Sequence, residues 1–217
     1  MSFHLGSVRW MGVALAVLLV TGSALLVSST KPPYTDKEKA FYADEALVNF
    51  VRPGLVFKIE GHEIAADGTV RVRFRITDPR GLPLDRLGIT TPGNVAASFV
   101  LARIPAGERQ YVSYTVRTQT SPITGRSAVQ AVGESNGVFT QIGEGLYTYT
   151  FATRLPANYD RTVTHSIGVY GSRNLTEFDL GTQYDDDVYN FVPNGSPVTV
   201  VRDQIKTETC NRCHVSL

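Results

Sequence analysis

The chain has 217 residues, of which 42% are hydrophobic and 19% are charged, which is the composition of a globular protein with one sizeable core. Lysine and arginine total 21 and aspartate and glutamate total 20, so the balanced charge gives no support to nucleic-acid binding. Both cysteines, Cys210 and Cys213, lie close to the last residue, which excludes a disulfide-stapled scaffold.

Residues 1–29 are typical of a secretory signal peptide or a membrane anchor. Met1 to Arg9 is a short, weakly positive start, and an uncharged apolar run follows from Trp10 to Val27. That run is close to the length that spans a bilayer, so a cleaved signal and a retained anchor both agree with it. Both predict export, and a retained anchor would add membrane association. A buried core helix is the alternative.

Residues 30–54 are predicted to form a linker followed by one short helix. The helix should cover Thr35 to Val51, because Thr35 and Glu38 have the spacing of a capping box. Arg52-Pro53-Gly54 carries the proline and glycine that end a helix.

From Leu55 onward hydrophobic residues alternate with polar ones, which is the pattern of β-strands. In the clearest strand, Thr69 to Thr77, apolar side chains point to one side and three arginines point to the other. Turn-forming residues separate it from candidate strands at 55–60, 95–103, 111–118, 137–142, 145–153, 162–170, 187–192 and 197–202. This pattern predicts an immunoglobulin-like antiparallel β-sandwich over residues 55–203.

One stretch of this region resembles the E-to-F strand corner of immunoglobulin-like domains. Tyr147, Tyr149 and Phe151 share one face of a strand, and His165 shares the apolar face of the next strand. Tyr159 lies just before that second strand, where such domains place a corner tyrosine.

The segment Cys210-Asn211-Arg212-Cys213-His214 forms a C-x-x-C-H motif, the attachment signature of a c-type haem. Two thiols at this spacing on a helical turn can each add to one vinyl group of a porphyrin, and the adjacent imidazole then lies under the iron. We therefore predict a haem-attachment segment at residues 204–217. Cys210 and Cys213 would hold the haem by thioether bonds, and His214 would be the proximal iron ligand.

Three other interpretations of the motif remain open. A redox-active dithiol would place the cysteines at the start of a helix within a βαβ unit. A structural zinc site would need a fourth ligand besides Cys210, Cys213 and His214, supplied by His62, His165 or a partner. A simple disulfide between the two cysteines would form if haem attachment failed.

The composition of the chain limits the second axial ligand of the haem iron. Both methionines, Met1 and Met11, and one of the four histidines, His4, lie in the leader. His165 is therefore the candidate distal ligand, and His62, in an exposed turn, is a weaker one. A histidine on the apolar face of a strand is more often a core residue. The alternatives are a ligand from another chain and an open coordination site.

An acidic stretch near the end of the sandwich predicts a calcium site. Glu177, Asp179, Asp185, Asp186 and Asp187 would crowd one loop. Calcium binds six to eight oxygen ligands, and acidic loops supply them in many exported β-domains. The alternative interpretation is a solvated acidic turn.

Several stretches of the chain, taken in order, resemble one family. They are VRPGL at 51–55, ADG at 66–68, DPRGLPLD at 78–85, RTQTSPIT at 117–124, GLYTYTF at 145–151, TH at 164–165, GVYGSRNLTEFDL at 168–180, NFVPNG at 190–195 and RD at 202–203. With the C-x-x-C-H motif that follows, residues 40–217 are similar to the N-terminal part of OmcA/MtrC-type multihaem (decahaem) c-type cytochromes.

The resemblance implies a non-enzymatic protein of the periplasm or outer cell surface, with covalent haem c as its cofactor. It would pass electrons to redox partner proteins or to further haem domains. Members of this family carry many haem motifs and this chain carries one, so we interpret it as the N-terminal part of a multihaem cytochrome, in the form of a truncated gene product, a fragment or a split subunit. The alternative function is a non-enzymatic surface β-sandwich for adhesion or assembly, with a vestigial haem motif.

Overall fold

The hydrophobic core of the protein lies between two four-stranded antiparallel sheets. The structure is a computed structural model, and it describes residues 34–202. The predicted leader at 1–29 and the predicted haem-attachment segment at 204–217 lie outside the described residues. Within them, the prediction of a mainly β, antiparallel sandwich is confirmed.

Ten strands make up the described fold. They are β1 (Val56–Ile64), β2 (Thr69–Thr77), β3 (Val95–Arg103), β4 (Val112–Ser113), β5 (Val116–Thr120), β6 (Ser127–Ala131), β7 (Val138–Gly143), β8 (Leu146–Arg154), β9 (His165–Asn174) and β10 (Thr182–Phe191). The first sheet has the order β1-β2-β8-β7, and the second has the order β10-β9-β3-β4. Strands β5 and β6 form a separate two-stranded hairpin.

Strand β2 shows why the alternating pattern produces a sandwich. Val70, Val72, Phe74 and Ile76 are fully buried and face the other sheet. The arginines between them lie on the outer face of the first sheet, where they pair with the glutamates of β1. Burying one face of a strand and solvating the other fixes its register, because a shift by one residue would exchange the two faces.

The predicted strand boundaries are accurate where the apolar alternation is regular and inaccurate where it is not. Strands β2 and β3 have the predicted ends, but the predicted strand at 111–118 divides into β4 and β5. The polar strand β6 was not predicted, and residues 197–202 contain no strand. Strand β10 begins at Thr182 rather than at 187, because residues from Thr182 onward pair with β9 despite their polar side chains.

The predicted helix at 35–51 is divided into α1 (Lys39–Tyr42) and α2 (Glu45–Val51). The Asp44 carboxylate accepts the backbone N–H groups of Ala46 and Leu47, so the helix restarts at an N-cap. The predicted pair of Thr35 and Glu38 does form, but it closes the turn before α1. No helix within residues 34–202 is long and apolar enough to cross a membrane.

Arg173 of β9 attaches the helical segment to the sandwich. Its side chain is fully buried, and its guanidinium donates hydrogen bonds to four backbone carbonyls. The acceptors are the carbonyl oxygens of Val51 at 2.7 Å, Arg52 at 2.7 Å, Gly54 at 3.0 Å and Pro92. Burial lowers the pKa of Arg173 to about 10, and the nearby charge of Arg52 lowers it further. The guanidinium still carries its charge at neutral pH and satisfies carbonyls that strands and helices leave unpaired.

The substitution Arg173→Met should lower the free energy of unfolding by about 3 kcal/mol or more, because it leaves several buried carbonyls without donors. Urea unfolding followed by circular dichroism measures the change. The matched control is Arg71→Met, which removes an arginine whose side chain is 52% exposed and pairs with Glu63. That control should cost less than about 1 kcal/mol. Equal losses in the two variants would contradict the anchoring role of Arg173.

Candidate functional site

The predicted haem ligands Cys210, Cys213 and His214 lie outside the described residues, but the segment that leads to them is described as far as Arg202. This segment follows β10 and is held against the connection between β8 and β9. The Asn194 N–H donates to the Arg161 carbonyl at 3.1 Å, and the Thr164 hydroxyl donates to the Val200 carbonyl at 2.7 Å. Arg202 itself hydrogen-bonds the side chain of Gln110. The chain therefore approaches the motif from the second sheet.

A groove of about 480 Å³ lies on the outer face of the second sheet, beside Arg202. We call it the outer groove, and it is lined by Val100, Ala102, Tyr111, Ser113, Ala131, Ser166, Gly168, Val169, Tyr170, Asp186, Val188 and Arg202. On β9, alternate residues from Ser166 to Tyr170 face this groove, while Ile167 and Val169 are buried in the core. Gly168 leaves the groove open, because a Cβ there would meet no atom within 4 Å.

His165 points away from the outer groove, into the core. Its Nδ1 lies 3.1 Å from the Val163 carbonyl oxygen, which can only accept, so Nδ1 carries the proton. Its Nε2 then accepts the hydroxyl of Tyr114 at 3.0 Å. Burial is the main cause of the lowered pKa of His165, which favours this neutral form. Ligation of iron through Nε2 would require the Tyr114 hydroxyl to leave, so the distal-ligand assignment stays a prediction.

His62 is the other candidate histidine, and it also packs against the aromatic core. Its ring stacks on Phe191 with centroids 3.6 Å apart. Its Nδ1 is buried and has no hydrogen-bond partner within residues 34–202. Burial lowers the pKa of His62, and the nearby His165 lowers it further. The structure therefore places His62 and His165 near the same ring, Phe191.

The acidic residues predicted to share one loop are separated in the structure. Asp179 follows a 3-10 helix (Thr176–Phe178), and its exposed carboxylate pairs with Lys39 at 2.7 Å. Asp185, Asp186 and Asp187 belong to β10, so Asp186 lines the outer groove while its neighbours face β1. Within residues 34–202, no group of three or more histidine, cysteine, aspartate or glutamate side chains could hold a metal ion. The structure does not bring the predicted calcium ligands together.

Asp185 and Asp187 instead join the edge strands of the two sheets. Asp185 Oδ2 accepts the Phe57 N–H at 2.6 Å, and Asp187 Oδ2 accepts the Ile59 N–H at 2.7 Å. Burial raises the pKa of Asp185 to about 6, and the hydrogen bond from Phe57 offsets only part of this effect. The charges of Asp186 and Asp187 add to the increase. Asp185 and Asp187 were predicted to bind a cation. In the structure they accept N–H groups of β1 that a neighbouring strand would otherwise accept.

The protein is similar in structure to two proteins of known structure. The crystal structure of the outer membrane decaheme cytochrome OmcA superposes with a TM-score of 0.52 and 17% sequence identity. The crystal structure of MtrC from Shewanella baltica OS185 superposes with a TM-score of 0.50 and 21% identity. The fold resembles the β-sandwich domains of OmcA and MtrC.

The extent of these matches is limited. They cover 74% and 75% of this chain but only 26% of OmcA and of MtrC, so the chain spans about a quarter of each cytochrome. No protein-family profile matches the chain, and no curated protein matches it. At this level of identity, the comparisons establish a shared fold and leave activity and cofactor as proposals.

Sequence reasoning did not identify the outer groove. Its wall on β9 comes from Ser166, Gly168 and Tyr170, which the predicted strand at 162–170 already placed on one face. The small residues on that face were the available signal, because a face without bulky side chains leaves space above a sheet. The remaining walls come from β3, β4, β6 and β10, which are distant in sequence.

The raised pKa of Asp185 predicts a pH dependence of stability. The folded pKa exceeds the ordinary value of 3.8, so the stabilisation from the protonated form is complete below about pH 4 and is lost as the pH rises through about 6. The substitution Asp185→Asn should remove this loss and gain on the order of 2 kcal/mol over wild type at neutral pH. The asparagine oxygen can still accept the Phe57 N–H.

Urea unfolding at a series of pH values between about 4 and 7 measures this dependence. The control is Asp186→Asn, which retains Asp185: the decline should persist but be smaller than in wild type, because the Asp186 charge contributes to the raised pKa of Asp185. A decline of the same size in Asp185→Asn would show that another group is responsible.

Proposed function

We propose that the protein is an exported electron-transfer protein that carries a covalent c-type haem, as the N-terminal part of a multihaem cytochrome. The C-x-x-C-H motif at residues 210–214 is the observation that carries this proposal. Two further features support it: the leader at 1–29 has the character of an export signal, and the sandwich shares its fold with part of MtrC and of the outer membrane decaheme cytochrome OmcA.

The donor set of the motif suits a c-type haem. Cys210 and Cys213 supply two thiols for thioether bonds, and His214 supplies an imidazole for the iron. A bound haem supplies one-electron chemistry through its ferric and ferrous states. The chain holds that group covalently, so the haem stays with the protein in both oxidation states. An electron-transfer role requires no substrate site, and we propose redox proteins or further haem domains as the partners.

The alternative function is a surface β-sandwich for adhesion or assembly. One observation favours it: every residue of the hairpin formed by β5 and β6 is exposed. Ile123, in the loop between these strands, is 92% exposed. Such a hairpin offers backbone and side chains to another protein without any haem. The two functions are separated by the presence or absence of covalent haem.

Covalent haem is the first test of the proposal. The full chain, expressed with the bacterial machinery for haem attachment, should give a band on a denaturing gel that stains for haem peroxidase activity. Its mass should increase by one haem. The double variant Cys210→Ser/Cys213→Ser should give an unstained band with the mass of the haem-free chain, because it has neither thiol for thioether bonds. An unstained wild-type band would refute the cytochrome function and leave the adhesion function.

The role of His165 is tested on the haem-loaded protein. We expect His165→Gln to lower the melting temperature, because Tyr114 and the Val163 carbonyl lose a core partner. We expect the visible spectrum of the haem to stay as in wild type. The variant His62→Gln is the control for loss of a histidine beside Phe191. A change from a low-spin to a high-spin spectrum in His165→Gln alone would identify His165 as the distal ligand after all.

A further inference from the structure

We propose that the outer groove seats the haem attached to Cys210 and Cys213, so that the β-sandwich provides one wall of the haem site. This inference rests on the proposed haem function and adds a location to it. A haem exposes a large apolar surface, and an exposed apolar surface of that size normally packs against another surface. Three features of the groove point to the haem as the occupant. They are the residues that line it, its distance along the chain from the motif, and its charged groups.

The lining of the outer groove has the character of a cofactor site. Its floor is formed by small and apolar side chains of three adjacent strands, among them Val100, Gly168 and Val188. Tyr111 and Tyr170 lie at its sides, and the Tyr170 side chain is about half exposed. A concave, mostly apolar surface with a few aromatic and polar groups is typical of sites that bind cofactors. The groove volume of about 480 Å³ also lies within the usual range for such sites.

The distance along the chain fits the same occupant. Arg202 is a lining residue of the outer groove, and Cys210 follows it by eight residues. A fully extended connection of that length reaches about 28 Å, and any less extended one brings the motif closer. Because Val200 and Arg202 are both hydrogen-bonded to the sandwich, the connection starts at a fixed point beside the groove. The motif can therefore reach the outer groove.

The charged residues around the outer groove suit a haem whose propionate-bearing edge binds a cationic side chain. A haem carries two propionate carboxylates beside its apolar ring. The Arg202 guanidinium lies at the rim, where it can bind a carboxylate while the ring packs on the apolar floor. Asp186 also lines the groove from β10, so we expect the propionates to turn toward Arg202 and away from that strand.

The groove supplies a wall rather than an axial ligand. Within residues 34–202 no histidine, methionine or cysteine lines it, and His165 faces the opposite side of β9. The residues of the groove would therefore pack against a haem without supplying a ligand to its iron. A wall of this kind excludes water from one side of the haem, and burial of a haem is one of the factors that set its reduction potential.

A tryptophan placed at the groove would report the haem directly. The chain has one tryptophan, Trp10 in the leader, which Trp10→Phe removes. In the Trp10→Phe protein, Tyr170→Trp puts a fluorophore at the groove. The control, Ile142→Trp, puts one on the first sheet. The two replaced residues are similarly exposed, Tyr170 at 49% and Ile142 at 50%. Haem quenches tryptophan by energy transfer, which falls steeply with distance.

In the haem-loaded proteins, we expect the fluorescence lifetime to be shortened severalfold more in Tyr170→Trp than in Ile142→Trp. Each lifetime is compared with that of the same protein carrying Cys210→Ser/Cys213→Ser, which has no haem. Equal shortening at the two positions, in protein that stains for covalent haem, would overturn the groove assignment and leave the electron-transfer function standing. Loss of haem staining itself would instead refute the proposed function.

A second variant tests the groove without a fluorophore. Gly168→Phe fills the groove without meeting a neighbouring atom at its Cβ, and Gly61→Phe is the control on the first sheet, where the space is also open. We expect Gly168→Phe to shift the reduction potential of the haem and to speed protease cleavage of residues 203–217, with no change in Gly61→Phe. An unchanged potential and cleavage rate in Gly168→Phe would contradict the proposal.

Discussion

The sandwich depends on carboxylates that satisfy the backbone at both of its open sides. Strand β1 is at the edge of the first sheet, and two of its N–H groups are accepted by Asp185 and Asp187 of the second sheet. At the other side, Glu134 pairs by its backbone with Phe99 of β3. Unpaired edge N–H groups are costly when buried and attract other chains when exposed. By accepting these N–H groups, the carboxylates avoid both the cost of burial and the attraction of other chains. They also join one sheet to the other.

Glu134 completes this second connection with its side chain. Its carboxylate accepts the N–H groups of Ala152 at 2.7 Å and Thr153 at 2.8 Å, on the part of β8 that β7 does not reach. It also accepts the hydroxyl of Tyr149 at 2.9 Å, and that tyrosine stacks on Phe99 with centroids 4.3 Å apart. A single buried acid thus joins the two sheets and the aromatic core. Burial would raise the pKa of Glu134, but these donors together outweigh it, so its pKa is lowered.

The outer face of the second sheet is the surface on which we propose that the haem packs. Because the core face of β9 carries His165, Ile167 and Val169, the small residues on its other face remain available for the outer groove. The chain leaves the sandwich on this side, next to Arg202. The proposed haem-attachment segment at residues 204–217 would follow directly from this surface.

The sequence by itself determined the strands whose alternation is regular, and it places two thiols and an imidazole together at the C-terminal motif. In β2, spacing alone predicts the buried face, because every second residue of a strand points the same way. The residues of that face are Val70, Val72, Phe74 and Ile76. Likewise, the two thiols and the imidazole of residues 210–214 are a donor set whatever the fold around them. These features are local, so local reasoning finds them.

Only the tertiary structure decided what the polar groups do. Asp185 and Asp187 look like cation ligands in the sequence, yet their partners are backbone N–H groups more than a hundred residues away. Asp44 divides the predicted helix, and the five strands that contribute to the outer groove meet only in the folded sheet and hairpin. Hydrophobic spacing reports which face of a strand is buried. The partner of a buried charge is set by long-range packing, which no local pattern encodes.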